Sequence, residues 1–346
     1  MIYLDNAATT VCKFPASVYD DIWGNANTPY KFGLNARQAA DGCREMVKKC
    51  LGVKGGKVIF CGNASEAAKI LCDRFYTHSL NNCMTVCGPY EHDSVYDFVD
   101  LHGYQFVHHN DCTAIFQQWV NPVTGVIFDI TGIRKAIGND CFLCMDATAG
   151  IGKRVLAQSI VSSVDAIWFS GHKFNGPKTG GILWISDRLS EALYLSEDSR
   201  NEYGLKHGTL DVPSFIATTC ALEYTLGNDI ENIWHYAGLN DYLSNRAGDR
   251  VTGFKPYVND QLNATILIDT GCNADALVQY LSTKGIYVGL AHSACSADAD
   301  YRVTQAFGIS KETAERCIRV SFSEDNTFND IDALVDGIKE FKEKFV

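Results

Sequence analysis

The chain has 346 residues, of which 46% are hydrophobic and 21% charged, the composition of an ordinary folded globular protein. Its formal net charge of −11 argues against tight, sequence-independent binding of nucleic acid. No apolar run approaches the roughly 20 residues that span a bilayer, and the first residues carry neither a basic region nor an apolar segment of signal length, so we expect no membrane partner and a cytoplasmic location.

Short apolar runs alternate with helical patterns from about residue 15 to residue 245. This alternation predicts an α/β fold with a mostly parallel sheet, and we assign residues 15–245 to one large domain. Residues 1–14 and 246–346 are assigned to a smaller α/β domain. Its C-terminal part is predicted to contain three strands and three helices, namely strands at 264–269, 286–290 and 318–322 and helices at 274–284, 312–317 and from 329 onward.

The first motif, YLDNAATT at residues 3–10, places small residues after a short strand. The motif has little helical or amphipathic character. We therefore expect a loop that lines the substrate side of a site, with Asn6 and Ala7 among the substrate contacts.

A turn at residues 62–65 follows a predicted strand at 58–61 and leads into a helix that is predicted to begin near Glu66. Free backbone N–H groups at a helix start bind phosphate, so Ala64 and the Ser65 hydroxyl are candidate phosphate contacts. Ser65 is also suited to be the N-cap of this helix. The two roles are compatible, because a capped helix start is what a phosphate exploits.

Two further predicted strands end close to ionisable residues. His92 follows the strand at residues 84–87, and such a histidine is a candidate to stack on a flat ring and to move protons. Asp146 ends the strand at residues 141–145, where a carboxylate can pair with a protonated pyridine nitrogen. Each residue alone has a structural explanation, a core histidine in one case and a loop cap in the other.

Fourteen cysteines are present, and we expect free thiols in a reducing compartment. Cys141 and Cys144 have the CxxC spacing of metal and redox sites, yet they lie in a predicted strand, where residues three apart point to opposite faces. The spacing therefore favours a structural role, and no metal site is predicted.

The stretch SGHKFNGPK at residues 170–178 follows the predicted strand at 164–169. Glycine and proline exclude regular structure there, and ligands of open α/β sheets bind just past the carboxyl ends of strands. A lysine at this place, with phosphate donors such as Ser170 and His172 beside it, is what an enzyme needs to hold pyridoxal phosphate as a Schiff base. Lys173 is the candidate, although a lone lysine in a loop is usually only solvated.

Two residues of the smaller domain carry further chemistry. Cys295 lies among small and polar residues, which is the context of an accessible, reactive thiol. Arg319 lies inside an apolar strand and needs an anionic partner. An internal salt bridge and a substrate carboxylate held bidentately are equally good candidates for that partner.

Taken together, these motifs resemble those of the cysteine desulfurases, class V members of the fold type I pyridoxal-phosphate enzymes, and the match runs nearly from end to end. The resemblance rests on residues 3–10, 91–92 (EH), 146–148 (DAT), 170–173 with 176–178, 208–209 (GT), 293–296 (SACS) and Arg319.

The resemblance implies a homodimer with a seven-stranded-type sheet in the large domain and pyridoxal 5'-phosphate on Lys173. It implies phosphate contacts from Ser65, Ser170 and His172, with Thr209 reaching in from the other subunit. His92 would stack on the cofactor ring and Asp146 would pair with it, while Arg319 would bind the carboxylate of L-cysteine. Cys295 would attack the substrate sulfur and leave alanine and a persulfide for a sulfur-acceptor protein, such as an iron–sulfur scaffold or a tRNA-thiolation enzyme.

The chain departs from the family pattern at several places. Ala149 replaces a glutamine that bonds the cofactor, Pro122 replaces an asparagine for which Asn121 could substitute, and Lys206 replaces an arginine. The loop between Cys295 and Arg319 is also short, which limits the reach of a persulfide. These departures indicate a divergent member.

Three alternatives to a desulfurase stay open. A class V aminotransferase or a selenocysteine/cysteine lyase would use the same cofactor site, and Cys295 would be incidental in the aminotransferase. A degenerate, non-catalytic scaffold would explain the replacements at 149, 122 and 206, but it has no need of Lys173, His92 and Asp146. The sequence identifies neither the sulfur acceptor nor a preference between cysteine and selenocysteine.

Overall fold

A computed structural model describes residues 1–17, 21–78, 85–101, 113–196, 202–206, 208–247, 261–291 and 301–346. Its strands are β1 (Ile2–Leu4), β2 (Lys57–Cys61), β3 (Thr85–Cys87), β4 (Ala114–Gln118), β5 (Phe142–Asp146), β6 (Ala166–Ser170), β7 (Gly181–Ile185), β8 (Thr265–Asp269), β9 (Ile286–Leu290) and β10 (Cys317–Ser321).

The helices of the same part of the chain range from one turn to more than five turns. They are α1 (Lys31–Leu51), α2 (Ala64–His78), α3 (Asp93–Leu101), α4 (Ile130–Ile137), α5 (Gln158–Val161), α6 (Asp187–Ala192), α7 (Val212–Gly227), α8 (Asp229–Ala247), α9 (Ala274–Thr283), α10 (Arg302–Ala306), α11 (Lys311–Ala314) and α12 (Phe328–Phe345). No helix within the described ranges has both the length and the apolar content needed to cross a membrane.

The larger sheet has the strand order β2-β7-β6-β5-β4-β3. Neighbouring strands from β3 to β6 are parallel, whereas β7 is antiparallel to both β6 and β2. Five strands therefore run in one direction and place their carboxyl ends on one edge of the sheet. This confirms the mostly parallel α/β sheet, with six strands among the described residues rather than the seven that the resemblance implies.

Both faces of this sheet are covered, which explains why its strands are apolar without clear alternation. On β6, Ile167 and Phe169 pack into one apolar cluster and Trp168 packs into the cluster on the opposite face. Cys141 and Cys144 divide between the same two clusters, and both are buried free thiols. The prediction of opposite faces is confirmed, and the CxxC spacing is structural.

The smaller sheet has the order β1-β9-β10-β8. β1 pairs in parallel with β9, and β10 is antiparallel to both β8 and β9. The first strand of the chain thus joins strands from its C-terminal part, which brings residues 5–10 beside the large sheet. The pairing supports the two-domain division at residues 14 and 245, whose limits stay a prediction.

Helix α1 covers one face of the large sheet with a stripe of small side chains. Ala36, Ala40 and Val47 are buried on this stripe at spacings of four and seven residues, one face of a helix. The helix ends at Gly52, whose positive φ of 68° lets its N–H bond the carbonyls of Lys48 and Lys49. These side chains let α1 pack closely on the core residues of β2.

The contribution of this core to the free energy of unfolding can be measured at Phe60 of β2. Phe60 is fully buried and stacks on Phe215 with ring centroids 4.0 Å apart. Phe60→Ala leaves a cavity, and we expect a loss of about 3–5 kcal/mol in the free energy of unfolding, measured by urea denaturation. Trp234→Ala is the control, since Trp234 on α8 is 74% exposed and its loss should change stability by less than about 0.5 kcal/mol. Equal effects of the two substitutions would contradict this packing.

Candidate functional site

A cavity of about 380 Å³ opens at the carboxyl edge of the larger sheet. Residues after β2, β3, β4, β5 and β6 all contribute to it, as the rule for open α/β sheets predicts. Six residues proposed from the sequence line the cavity together: Ala64, Ser65, His92, Asp146, His172 and Lys173.

Lys173 ends a single 3₁₀ turn, Gly171–Lys173, that follows β6. The turn is held by the Phe174 and Gly176 N–H groups, which both donate to the Gly171 carbonyl at 3.0 and 2.9 Å. A Cβ at position 171 would lie 3.0 Å from the Gly180 oxygen, so glycine permits this close approach. The tight turn aims the lysine into the cavity instead of into solvent.

The Lys173 side chain is only 8% exposed. Its Nζ donates to the carbonyl oxygens of Ala7 at 2.6 Å and Ala8 at 2.8 Å. These contacts fix the amine at the cavity wall and bring the segment after β1 to the site. Thr9 of that segment lines the cavity, whereas Asn6 does not: its amide donates to the Ser321 carbonyl at 3.0 Å.

Asp146 is the last residue of β5 and is almost fully buried. Burial raises the pKa of this carboxyl, while the Thr148 hydroxyl and N–H and the charges of His92 and Lys173 act in the opposite direction. The Thr148 N–H donates to Oδ1 at 2.8 Å. A cation placed beside Asp146 would offset the cost of burying its charge.

His92 precedes α3, and its ring orientation is set locally. The Ser94 N–H points at Nδ1 from 3.2 Å, and the Ser94 hydroxyl lies 2.9 Å from the same nitrogen. An N–H donor aimed at Nδ1 makes that nitrogen an acceptor, so a neutral ring carries its proton on Nε2.

His172 also lines the cavity. Burial lowers the pKa of His172 to about 4, and the charges of Lys173, Lys153, Lys178 and His92 add to the effect. Its Nδ1 lies 3.1 Å from the Thr9 hydroxyl. The ring is therefore neutral near pH 7 and is available as a hydrogen-bond donor.

The helix start that we assigned to phosphate lies two residues earlier than predicted. α2 begins at Ala64, and Asn63 caps it, because Asn63 Oδ1 accepts from the Glu66 N–H at 2.9 Å. Ser65 therefore lies in the first turn and does not cap the helix, which leaves its hydroxyl on the cavity wall. Lys206 is close by and pairs with Glu66 at 3.2 Å.

The buried hydroxyl of Ser170, at the end of β6, has no hydrogen-bond partner among the described residues. Buried hydroxyls are normally satisfied, and a polar ligand beside the end of β6 would supply the missing partner. Further hydrogen-bond donors are the neutral His172 ring, the N-terminus of α2 and the Lys173 amine. This set of donors fits pyridoxal phosphate, and the Asp146 carboxyl is suited to pair with its ring nitrogen.

Six proposed residues that the structure describes lie outside the cavity lining, and Asn6 and Ser170 are two of them. Asn121 is committed to its own turn, where Oδ1 accepts from the Val123 and Thr124 N–H groups, and its amide nitrogen donates to the Tyr90 carbonyl. It therefore does not take the place of the residue that Pro122 replaces, and Pro122 and Ala149 line the cavity instead. Three further proposed residues are not cavity-lining: Ala7, Thr209, which is exposed, and Arg319.

Arg319 is 1% exposed at the centre of the smaller sheet, and its Nη2 donates to Asp5 Oδ1 at 2.8 Å. The internal salt bridge that we considered is therefore present. A Cβ at Gly289, opposite Arg319 on β9, would lie 2.8 Å from Nη2, so glycine makes room for the guanidinium. Cys295 lies outside the described residues.

Several lining residues were given no role from the sequence. Among them, Thr9, Thr148 and Lys178 lie within the family motifs, and Gln118 is the last residue of β4. Sequence reasoning also missed Lys153, which is 7% exposed behind Lys173. Its position seven residues after Asp146, behind two glycines, was the available signal.

The neutral state of His172 has a consequence for acid stability. A folded-state pKa of about 4 lies below the ordinary histidine value, so the unfolded chain takes up this proton first as the pH falls. The stability that depends on the neutral His172 ring is therefore fully present above about pH 6.5, and it is lost as the pH falls towards 4. We expect His172→Gln to make the urea midpoint fall less steeply between these pH values. An unchanged slope would contradict the buried, neutral ring.

Residues 99–334 match the family model of the class-V aminotransferases. Among curated relatives, the chain is 26% identical to "Cysteine desulfurase IscS" of Buchnera aphidicola subsp. Schizaphis graminum, over 97% of this chain and 91% of that protein. It is 27% identical to the protein of the same name from Mannheimia succiniciproducens, over 99% and 93% of the two chains. A "NifS/IcsS protein homolog" of Lactobacillus delbrueckii is 25% identical over 100% and 98%.

Solved structures show the same fold. A structure named "NIFS-LIKE PROTEIN" superposes with a TM-score of 0.86 at 23% identity, covering 99% of this chain and 100% of that chain. The NifS-like protein from Rickettsia africae superposes with a TM-score of 0.82 at 20% identity, covering 99% of each chain.

Proposed function

This chain belongs to the class-V aminotransferase family, and we propose that it is a pyridoxal-phosphate-dependent cysteine desulfurase that converts L-cysteine to L-alanine. The observation that carries the proposal is the meeting of Lys173, Asp146, His92 and His172 around one cavity. The curated relatives named cysteine desulfurase, which match nearly the whole chain, support the choice within the family.

We propose one role in cofactor binding for each of these side chains. Lys173 would hold the cofactor covalently, His92 would cover its ring, and Asp146 would face its ring nitrogen. Ser65, His172 and Ser170 would bind its phosphate, with the exposed Thr209 contributing to the cavity of a partner subunit. When bound, the cofactor supplies an electron sink for the substrate carbons.

Arg319 is the proposed contact for the substrate carboxylate. The charges of Arg319 and Lys173 both lower the pKa of Lys153, so the three side chains are close enough to interact electrostatically. The N-terminal segment links them further, since Asp5 pairs with Arg319 and the next residues contact Lys173. A substrate carboxylate beside Arg319 would place its amino group towards Lys173.

Cys295 is the proposed nucleophile, acting as a thiolate. Its sulfur forms a bond to the substrate sulfur while the bond between that sulfur and the substrate Cβ breaks. The electron pair stays on the carbon, which takes up a proton and becomes the methyl group of alanine. The product on the protein is a persulfide, which passes to a sulfur-acceptor protein of iron–sulfur cluster assembly or tRNA thiolation.

The test is to incubate the purified chain with L-cysteine and to measure alanine, sulfide and protein persulfide together. We expect Cys295→Ser to retain the yellow cofactor but to lose sulfide and persulfide formation, because the thiolate is missing while the cavity is intact. Cys12→Ser is the matched control, since Cys12 is an exposed free thiol outside the cavity lining and its loss should leave the rate unchanged.

Wild-type rates of alanine and sulfide formation in Cys295→Ser would contradict the desulfurase mechanism. Transfer of the amino group to a keto acid, with no sulfide from the wild-type chain, would favour an aminotransferase instead.

A further inference from the structure

A second lysine, Lys153, lies behind the proposed cofactor lysine. It follows the turn after β5, where its N–H donates to the Gly150 carbonyl at 3.0 Å, and its side chain is 7% exposed. Its ammonium group makes no hydrogen bond or ion pair with the residues that the structure describes. A buried lysine without a partner is rare, because burying the charge is costly.

Lys153 and Lys173 line the same small cavity of about 20 Å³, separate from the larger one. The walls of this small cavity include the polar residues Thr10, Asn175 and Tyr236. Its size corresponds to roughly one water molecule. The two lysines therefore border one small space, and Lys173 lines the larger cavity as well.

The charged groups around Lys153 are mostly cations. Lys173 approaches from the turn after β6 and Arg319 from β10, and both act against a proton on Lys153. Glu324, at the wall of the small cavity, is already paired with Lys13 at 2.7 Å and accepts from Tyr224 and Asn232.

Burial first, and then the charges of Lys173 and Arg319, lower the pKa of Lys153 to about 7. The repulsion between the two amines disfavours a second proton on the pair. The carbonyls of Ala7 and Ala8 favour the proton on Lys173, and a neutral Lys153 is then able to accept it.

We propose that Lys153 is a positioning residue that accepts the proton which Lys173 must lose before its amine can attack. In this exchange the Lys173 ammonium becomes a neutral amine and the Lys153 amine becomes an ammonium, so charge is conserved within the buried pair. The inference rests on the proposed function, because it assumes that Lys173 is the residue that bonds the cofactor.

The experiment measures how fast the cofactor-free, full-length chain bonds pyridoxal phosphate, followed by visible absorbance from pH 6 to pH 10. In the wild type the pair shares one proton above about pH 7, so the rate should level off there. In Lys153→Met the neutral fraction of Lys173 instead keeps rising towards the ordinary lysine pKa, and the rate at pH 7.5 should fall by at least about tenfold.

Two further variants separate proton acceptance from a structural role. Lys153→Arg keeps a cation that repels a proton on Lys173 but cannot accept one, so it should recover only part of the rate that Lys153→Met loses. Lys153→His should restore part of the rate near neutral pH only, because histidine accepts a proton there. Arg154→Met is the control, because it removes an exposed cation one residue away and should leave the profile unchanged.

The inference would be overturned if Lys153→Met had the wild-type dependence of the bonding rate on pH, or if Lys153→Arg had the full wild-type rate. Failure of the wild type to bond the cofactor at Lys173 would instead count against the proposed function, and peptide mapping of the reduced adduct distinguishes the two failures.

Discussion

The hydrogen bonds from Lys173 Nζ to the carbonyls of Ala7 and Ala8 join the two sheets at the cavity. The lysine belongs to the larger sheet, whereas the two carbonyls follow β1, a strand of the smaller sheet. The same N-terminal segment supplies Asp5 to the buried Arg319. One short stretch of chain therefore fixes the relative positions of the proposed cofactor lysine and the proposed substrate arginine, which is why the motif after β1 bears on the chemistry.

The electrostatics of the site favour a ligand that carries negative groups. Burial and neighbouring cations lower the pKa values of His172 and Lys153, and burial raises that of Asp146. A phosphate and a substrate carboxylate would relieve the crowding of cations, and a protonated ring nitrogen would compensate Asp146. The directions of these three pKa shifts therefore complement the charges that pyridoxal phosphate and an amino acid bring.

Much of this site was predictable because parallel strands place their carboxyl ends on one edge. The strand ends before His92, Asp146 and Lys173 follow from apolar runs that stop at polar residues, and topology then brings them together. Local hydrogen bonding was harder to predict: Asn63 rather than Ser65 caps α2, and Asn121 turns its amide into its own loop. Lys153 was missed because the glycines before it indicate only a turn, whereas its burial depends on packing between the two sheets.

The central claim is that Lys173 is the residue that bonds pyridoxal phosphate. The most direct measurement is to load the full-length chain with the cofactor, reduce it with borohydride, digest it and map the modified peptide by mass spectrometry. The account predicts one modified lysine, Lys173, and no adduct in Lys173→Ala. An adduct on Lys178 or Lys153 in the wild type, or an unchanged adduct in Lys173→Ala, would contradict it.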